Sequence, residues 1–145
     1  MRICIGCDPN AEEAKRELIS FIEKKGLGEV TDLGSDDPIY AHVAEKAARA
    51  VASGEYDRGI LLCGTGIGMS IAANKVDGAY AALVSDVYSA QRARLSNDAN
   101  IACMGAFTTG SKVRELMAEA FLTCEFVPGC SSQPKVDAYK KPLSR

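Results

Sequence analysis

The sequence predicts an α/β protein whose doubly wound, five-stranded parallel sheet carries helices on both faces. Short apolar runs typical of strands alternate five times with longer segments of helical periodicity. The run RGILLC at 58–63 has the near-continuous apolar character of a strand buried on both sides. The chain of 145 residues is long enough for one domain with a sizeable core and too short for two.

The first half of the chain predicts two strands, each followed by a helix. RICIGC (2–7) is the first strand, and AEEAKRELISFIEKKG (11–26) follows with apolar residues at helical spacing and a terminal glycine. EVTDLG (29–34) is the second strand. YAHVAEKAARAVASG (40–54) is the second helix, with its apolar residues three and four positions apart.

The second half continues the alternation after the strand at 58–63. We predict a short helix near 67–74, a strand at 79–84, a helix at 86–95, a strand at 100–105 and a helix at 111–122. Such a Rossmann-like or flavodoxin-like order places ligands at the carboxyl ends of the strands. The predicted domain covers 1–126. The proline-containing tail 127–145 breaks the pattern, and we expect it to pack on a partner subunit.

Charge and composition favour a small-molecule partner in the cytoplasm. The 17 basic and 19 acidic residues give a net charge of −2, which creates no global field for nucleic acid or a membrane surface. No apolar run approaches the roughly 20 residues of a membrane span. The opening MRICIGCDPNAEEAK becomes charged too early for a secretory signal. The six cysteines are scattered through predicted elements, so we expect free thiols.

Cys4 and Cys7 have the C-x-x-C spacing of a zinc or redox pair. No second close pair accompanies them, and the lone His42 falls in a predicted helix. Our interpretation is that both are small core residues of the first strand. We therefore predict no metal.

The segment CGTGIGMSIAANK (63–75) places a thiol where a strand gives way to a glycine-rich turn. Glycines let the backbone turn sharply and let an anionic ligand approach the amides, while the following helix start adds a positive end. A thiolate beside such a turn is stabilised, which suits a base or a nucleophile. The alternative is that Cys63 is one more buried small residue at the end of a strand.

Two nucleotide-binding patterns compete for the same turn. The phosphate loop of nucleotide triphosphatases needs a lysine where this chain has Met69 and Ser70, so that pattern fails. The dinucleotide fingerprint is closer, because Gly64, Gly66 and Gly68 precede an acidic residue, Asp86, after the next strand. The third glycine comes one position early, and the fingerprint stays as a second alternative.

Several blocks resemble one enzyme family across nearly the whole chain. CGTGIGMSIAANK (63–75), YSAQRARLSNDAN (88–100), MGAFTTG (104–110) and GCD (6–8) are similar to the type B ribose-5-phosphate isomerase and galactose-6-phosphate isomerase family. The resemblance implies the predicted fold, a sugar-phosphate substrate and no metal or nucleotide cofactor. It also implies homodimers or tetramers with active sites shared between two subunits.

The resemblance assigns roles to individual residues. It makes Cys63 the base that moves a proton between C1 and C2 through a cis-enediolate, with the Thr65 hydroxyl stabilising the oxyanion. Asp8 and Tyr40 hold sugar hydroxyls, although a helix cap and a packed aromatic are the alternatives for them. Asn97 comes from the partner subunit. The remaining substrate-binding residues that we predict are Gly64, Gly66, Ile67, Gly68, Met69, Ser70, Ser96 and Lys135.

Departures from the family bear on the sugar. Where members that act on cyclic sugars carry a ring-opening histidine this chain has Ser96, and Pro9 replaces a second histidine. A tetrose 4-phosphate has its O4 esterified and stays open, so erythrose 4-phosphate and erythrulose 4-phosphate need no ring opener. IYAH (39–42) and Ser96 also resemble a family branch that acts on tetrose phosphates. Ribose 5-phosphate is the alternative substrate, either with Ser96, Asp98 or a water opening the ring or with the enzyme using the small open-chain fraction of the sugar.

Phosphate recognition departs from the family as well. Its arginine in MGxR is Phe107 here, and its two tail arginines are replaced by Ser131 and Lys135. A lysine is a weaker phosphate ligand than an arginine fork. The cations available to compensate are Arg92, Arg94, Lys112 and Lys140. A glutamate that one branch uses in the loop is Met69 here, which leaves Cys63 as the sole candidate base. A nucleotide- or metabolite-binding module without catalysis is the alternative from another functional class.

Overall fold

A computed structural model describes residues 1–34 and 36–141 and contains a parallel sheet between two layers of helices. The strands are β1 (Arg2–Cys7), β2 (Glu29–Asp32), β3 (Arg58–Cys63), β4 (Ala81–Leu83) and β5 (Ile101–Gly105). The helices are α1 (Glu12–Lys25), α2 (Tyr40–Ala52), α3 (Ile67–Ala73), α4 (Val87–Leu95), α5 (Ser111–Thr123) and α6 (Gln133–Lys140), and a short 3₁₀ turn (Pro9–Ala11) precedes α1.

The predicted fold class is confirmed, and the strand order adds a detail. The order is β2-β1-β3-β5-β4, and every neighbouring pair is parallel. The last two strands are interchanged relative to the 2-1-3-4-5 order of flavodoxin-like sheets. The chain moves outward from β1 to β2 and then returns to β3 on the other side. The switch point, where ligands bind in such sheets, therefore lies between the carboxyl ends of β1 and β3.

Each face of the sheet has its own apolar core. The core on the side of α1, α4 and α5 includes Leu18, Ile22, Ile60, Met104, Met117 and Phe121. The core on the side of α2 and α3 includes Val43, Ala47, Leu61, Met69 and Ile101. The centre of the sheet is buried on both sides, as the apolar character of β3 predicts.

Cys4 and Cys7 lie on opposite faces of the sheet. Cys4 packs in the core under α2, and Cys7 packs in the core under α1. Burial raises the pKa of Cys4 to about 12 and that of Cys7 to about 11. Because residues three apart on a strand point in opposite directions, these two thiols cannot bind one metal ion together. The geometry favours the interpretation that both are core residues.

The two edge strands are shorter than predicted. The structure ends β2 at Asp32 rather than at Gly34 and begins β4 at Ala81 rather than at Ala79. Each edge strand has a single neighbouring strand. Isolated backbone hydrogen bonds continue beyond the strand ends, from the Leu33 amide to the Ile5 carbonyl oxygen at 2.8 Å and from the Val84 amide to the Cys103 carbonyl oxygen at 3.0 Å.

The tail forms a helix, α6, that the sequence analysis does not predict. Its Pro134 lies in the first helical turn, where a proline removes no intrahelical hydrogen bond. Val136 is buried, and the ring of Tyr139 lies 6.2 Å from the ring of Tyr80. Thus α6 packs on its own chain, and its contact with a partner subunit stays a prediction. Residues 142–145 of the tail lie outside the described residues.

Among the helices of the described residues, none has the length and apolar character needed to cross a membrane.

The core under α5 depends on Phe121, which is fully buried. We expect Phe121→Ala to lower the free energy of unfolding by about 3–5 kcal/mol, because it leaves a cavity in a packed core. Urea denaturation measures this change. The matched control is Phe107→Ala, which truncates an exposed phenylalanine and is expected to cost under about 1 kcal/mol. Equal costs for the two variants would contradict the assigned core.

Candidate active site

Asp8 and Cys63 lie side by side at the switch point. The last paired residues of β1 and β3 are Cys7 and Leu62, and the Asp8 amide donates to the Leu62 carbonyl oxygen at 3.1 Å. Asp8, the first residue after β1, therefore lies next to Cys63, the last residue of β3. Cys63 is 5% exposed and Asp8 is 8% exposed. The structure thus brings together two of the predicted site residues at the carboxyl edge of the sheet.

The chain reverses at Gly66 and returns an amide to the Cys63 sulfur. The Gly66 N–H donates to the Cys63 Sγ at 3.1 Å. Gly66 has a φ of +79°, and a Cβ atom there would lie 2.9 Å from the Met104 carbonyl carbon. Both the left-handed backbone and the close approach require glycine. The Cys63 sulfur thus accepts a hydrogen bond from the backbone of the turn that follows its strand.

Residues 64–70, which we call the cradle, offer further donors. The Ile67 amide donates to the Thr65 Oγ1 at 3.2 Å, which leaves the Thr65 hydroxyl hydrogen free to donate elsewhere. Helix geometry gives the first-turn amides of Gly68 and Met69 no intrahelical acceptor. The Met69 side chain is buried in the core, so its amide alone can face a ligand.

Ser70 contributes less to the cradle than the sequence predicts. Its amide donates to the Gly66 carbonyl oxygen at 3.1 Å, as a normal helical hydrogen bond. Its hydroxyl is directed to the Ala81 carbonyl oxygen of β4 at 3.4 Å. The donors that face outward are therefore those of Thr65, Gly68 and Met69. Ile67 lies at the rim with a half-exposed side chain.

Two aromatic residues border the cradle. Tyr40 begins α2, and a Cβ on Gly68 would lie 2.2 Å from its hydroxyl oxygen. The ring of Phe107 lies over Gly64, where a Cβ would be 2.9 Å from it, and this ring is 74% exposed. The glycines of the cradle thus let two aromatic side chains approach the backbone beside Cys63. Phe107 stands where the family resemblance implies an arginine, and its contact with Gly64 is visible only in the structure.

Asp8 combines a capping role with a place at the site. Its Oδ1 accepts from the amides of Asn10 at 2.9 Å and Ala11 at 3.2 Å, which caps the 3₁₀ turn. The alternative of a helix cap is therefore correct for one carboxylate oxygen. Among the described residues no donor reaches the other oxygen, which remains available to a ligand.

A second group of predicted residues lies at the opposite edge of the sheet. Helix α4 starts at the carboxyl edge and runs about 13 Å before Ser96 and Asn97. The Tyr139 hydroxyl of α6 donates to the Asn97 carbonyl oxygen, and Lys135 lies one turn earlier on the same face of α6. One chain thus places Ser96 and Asn97 at the end of α4, away from the carboxyl edge, next to the face of α6 that carries Tyr139 and Lys135.

Asp86 is a helix cap and does not fit the dinucleotide alternative. Its Oδ1 accepts from the Ser89 amide and its Oδ2 from the Ser89 hydroxyl, each at 2.7 Å. These bonds hold the pKa of Asp86 below its usual range. In dinucleotide-binding folds the two strands that carry the glycines and the acidic residue are neighbours, whereas β5 separates β3 from β4 here.

Asn74 supports the cradle from behind and was missed by the sequence analysis. Its side-chain amide donates to the carbonyl oxygens of Ser70 at 2.9 Å and Ala81 at 2.8 Å, and its Oδ1 accepts from the Ala81 amide at 2.9 Å. It therefore ties the end of α3 to the start of β4. The available signal was an asparagine at the end of a predicted helix.

A thiol held by a glycine turn at the switch point of a doubly wound sheet defines an α/β enzyme with a small-molecule site. The family model that matches residues 3–139 describes the Ribose/Galactose Isomerase family. The chain belongs to this family, and it is a sugar-phosphate aldose-ketose isomerase. The alternative of a non-catalytic binding module is therefore wrong.

Relatives agree on the family and differ in the sugar. The chain is 47% identical over 140 residues to ribose-5-P isomerase B of Listeria innocua, covering 94% of this chain and 93% of the relative. It is 45% identical over 141 residues to D-erythrulose-4-phosphate isomerase of Pectobacterium atrosepticum, covering 94% and 91%. A solved ribose-5-phosphate isomerase B of Clostridium thermocellum superposes with a TM-score of 0.89 at 40% identity, covering 97% and 95%.

The close approach of Gly66 to the Met104 backbone predicts that a side chain at position 66 would displace the cradle. Gly66→Ala is expected to lower kcat/KM by at least about a hundredfold, because a 1 Å misplacement at a reacting group has that effect. Steady-state kinetics with the enzyme's sugar phosphate measures the change. Gly54→Ala is the control, since Gly54 has a φ of +82° but open space at the Cβ position. It should cost about 1–2 kcal/mol of stability and no activity per folded enzyme. Equal activities for the two variants would contradict the proposed constraint.

Proposed function

We propose that Cys63 is the base of the aldose-ketose isomerisation. The observation that supports it is the Gly66 N–H donated to the Cys63 Sγ at 3.1 Å. The thiolate removes the proton from the hydroxyl-bearing carbon next to the carbonyl, which gives a cis-enediolate. The hydroxyl proton passes to the former carbonyl oxygen, and the thiol returns the carbon-bound proton to the former carbonyl carbon. The Thr65 hydroxyl and the amides of Gly68 and Met69 stabilise the oxyanion that develops.

Asp8 and Tyr40 are proposed to hold the sugar. The backbone of Asp8 lies next to that of Cys63, and its uncapped carboxylate oxygen would accept hydrogen bonds from sugar hydroxyls. The Tyr40 hydroxyl, which lies on Gly68, reaches the opposite side of the same space. Together they orient the carbon chain so that C1 and C2 face the sulfur.

The site is proposed to be completed by a second copy of the chain in a homodimer or tetramer. Ser96, Asn97 and Lys135 lie at the far end of α4 from the cradle, so one chain cannot deliver them to its own Cys63. A symmetric oligomer places the end of α4 of one subunit against the cradle of the other. This arrangement agrees with the role that the family resemblance assigns to Asn97.

We propose an open-chain tetrose phosphate, the erythrulose 4-phosphate and erythrose 4-phosphate pair, as the substrate. The lone histidine, His42, is 61% exposed and pairs with Asp37 at 3.0 Å. It follows Tyr40 by two positions, so it leaves α2 on the face opposite the one that meets the cradle. No imidazole of the chain therefore stands at the cradle to open a sugar ring.

Ribose 5-phosphate remains the second candidate because the two relatives differ by only two percentage points in identity. Its ring would need another acid or base. The carboxylate of Asp98 is bound by Arg94 and Lys140, and the Ser96 hydroxyl donates to the Arg92 carbonyl oxygen at 3.1 Å. These contacts disfavour both side chains as ring openers. A bound water, or use of the small open-chain fraction of the sugar, remains for ribose 5-phosphate.

The role of Cys63 is tested by hydrogen exchange at the substrate. The unmodified enzyme is expected to incorporate deuterium from D₂O at the carbon that receives the proton, as followed by NMR. Cys63→Ala removes the base, so exchange and turnover should fall at least about a thousandfold. Cys130→Ala, which removes a thiol of the tail, is the control and should exchange normally. Residual turnover in Cys63→Ala within tenfold of the unmodified enzyme would exclude this thiol as the base.

The substrate is tested by comparing kcat/KM on erythrulose 4-phosphate and ribose 5-phosphate. We expect the tetrose to be preferred by at least about tenfold. Ser96→His should raise the pentose-to-tetrose ratio, because an imidazole assists ring opening. Any other loss caused by replacing Ser96 affects both sugars and cancels in the ratio. A wide preference of the unmodified enzyme for the pentose would show that the ring-opening argument is wrong.

A further inference from the structure

Arg92, Ser96 and Asn97 form one hydrogen-bonded unit at the end of α4. The Arg92 Nε donates to the Ser96 Oγ at 3.0 Å, and the Ser96 hydroxyl donates back to the Arg92 carbonyl oxygen at 3.1 Å. The Asn97 side-chain amide donates to the same carbonyl oxygen at 2.8 Å. Ser96 therefore fixes the plane of the Arg92 guanidinium next to Asn97.

Most other arginines of the described chain are occupied by carboxylates. The arginines paired with aspartate or glutamate are Arg2, Arg49, Arg58, Arg94 and Arg114. The two others in the described part are Arg16, exposed on α1, and the half-buried Arg92. Of these two, Arg92 alone has its Nε held by a neighbouring side chain. Its two terminal nitrogens form a fork without a carboxylate partner among the described residues.

Arg92, Arg94, Lys112 and Lys140 are the cations that could replace the missing family arginines as phosphate ligands. In the described chain, three of the four already bind carboxylates. Arg94 donates to Asp98, Glu125 and the Ala99 carbonyl oxygen. Lys140 pairs with Asp98, and Lys112 pairs with Glu115 at 2.9 Å. Arg92 is therefore the one member of that set whose charge is not already paired within the described chain.

The segment that carries Arg92 is held firmly. Asp98 has a φ of +46°, the single positive value among the described non-glycine residues. Its carboxylate receives hydrogen bonds from Arg94 of α4 and Lys140 of α6, while Tyr139 binds the Asn97 carbonyl oxygen. A conformation that costs energy is kept here by contacts from two helices. The end of α4 is thus a rigid platform for a binding group.

We propose that Arg92, oriented by Ser96, binds the phosphate group of the substrate held in the partner subunit's site. The inference rests on the proposed function, because it requires that the end of α4 faces a neighbouring cradle. A guanidinium fork matches two phosphate oxygens, and charge-assisted bonds of this kind are strong. Arg92 would then take the place of the phosphate-binding arginine that the family resemblance implies at position 107.

Kinetics of Arg92 variants test the proposal. Arg92→Gln is expected to raise KM about tenfold to a hundredfold, the range for losing hydrogen bonds to a charged group, with kcat within threefold. The inhibition constant of inorganic phosphate should rise by a similar factor. Arg92→Lys keeps the positive charge but lacks the guanidinium fork, so its KM should lie between those of the unmodified enzyme and Arg92→Gln. Arg16→Gln removes the other unpaired arginine and should change nothing. Unchanged KM and phosphate inhibition in Arg92→Gln would overturn the proposal.

Whether Arg92 acts on the site of the partner subunit is tested with hetero-oligomers of two variant chains, purified through two different tags. A Cys63→Ala chain combined with an Arg92→Gln chain has one site with an intact Cys63 and an intact Arg92. That site should restore low-KM turnover, whereas Arg92→Gln alone does not show it. Absence of low-KM turnover in the hetero-oligomer would mean that Arg92 does not act across subunits, and the proposal fails.

The outcomes separate this inference from the proposed function. Full activity of Cys63→Ala contradicts the assignment of the base, whatever Arg92 does. If Cys63→Ala is inactive and Arg92→Gln has a normal KM, the proposed role of Arg92 is contradicted, whereas the assignment of Cys63 as the base is not. Because Arg92→Lys retains length and charge, it serves as the second variant should Arg92→Gln fold poorly. A KM for Arg92→Lys equal to that of the unmodified enzyme would also count against the fork.

Discussion

The reversal of the chain at Gly66 is the constraint on which the site depends. It returns an amide to the Cys63 sulfur three residues after the strand ends. The reversal is possible because Gly66 adopts a left-handed conformation against the backbone of Met104. It also needs Gly105, where a Cβ would lie 2.9 Å from both the Gly64 carbonyl oxygen and the Thr65 Cα. The end of β5, at Met104 and Gly105, therefore packs closely against the turn from Gly64 to Gly66.

The unusual place of β5 gives this turn its support. Because β5 rather than β4 neighbours β3, its end lies directly beside the cradle. The Ala106 amide donates to the Cys63 carbonyl oxygen at 2.8 Å, and the Phe107 amide donates to the Gly64 carbonyl oxygen at 2.9 Å. These bonds continue the sheet ladder past the strand ends and hold the loop against it. The strand order thus serves the rigidity of the site as well as the core.

The periodicity of the sequence was sufficient for the fold and for the carboxyl-edge half of the site. The predicted bounds of β3 agree with the structure, and Asp8 and Cys63 lie at the predicted edge. The interchange of β4 and β5 was not predictable, because local pattern does not encode which parallel strands become neighbours. Helix α6 was missed because Pro134 was interpreted as a break, although a first-turn proline is compatible with a helix. Ser96 binds the side chain of Arg92, one helical turn earlier, and this contact could not be predicted from the sequence pattern.

The two departures from the family at Ser96 and Phe107 are best explained together. A histidine at position 96 would open a ring, but it could not give Arg92 the same short hydroxyl contact on one helical turn. The family resemblance implies a phosphate-binding arginine at position 107, where this chain has Phe107. The proposed role of Arg92 would supply a guanidinium from the end of α4 instead. The proposed open-chain substrate would remove the need for the histidine and would leave position 96 free to orient Arg92. Under these two proposals, Ser96 would link a preference for a sugar that cannot close a ring to the binding of that sugar's phosphate.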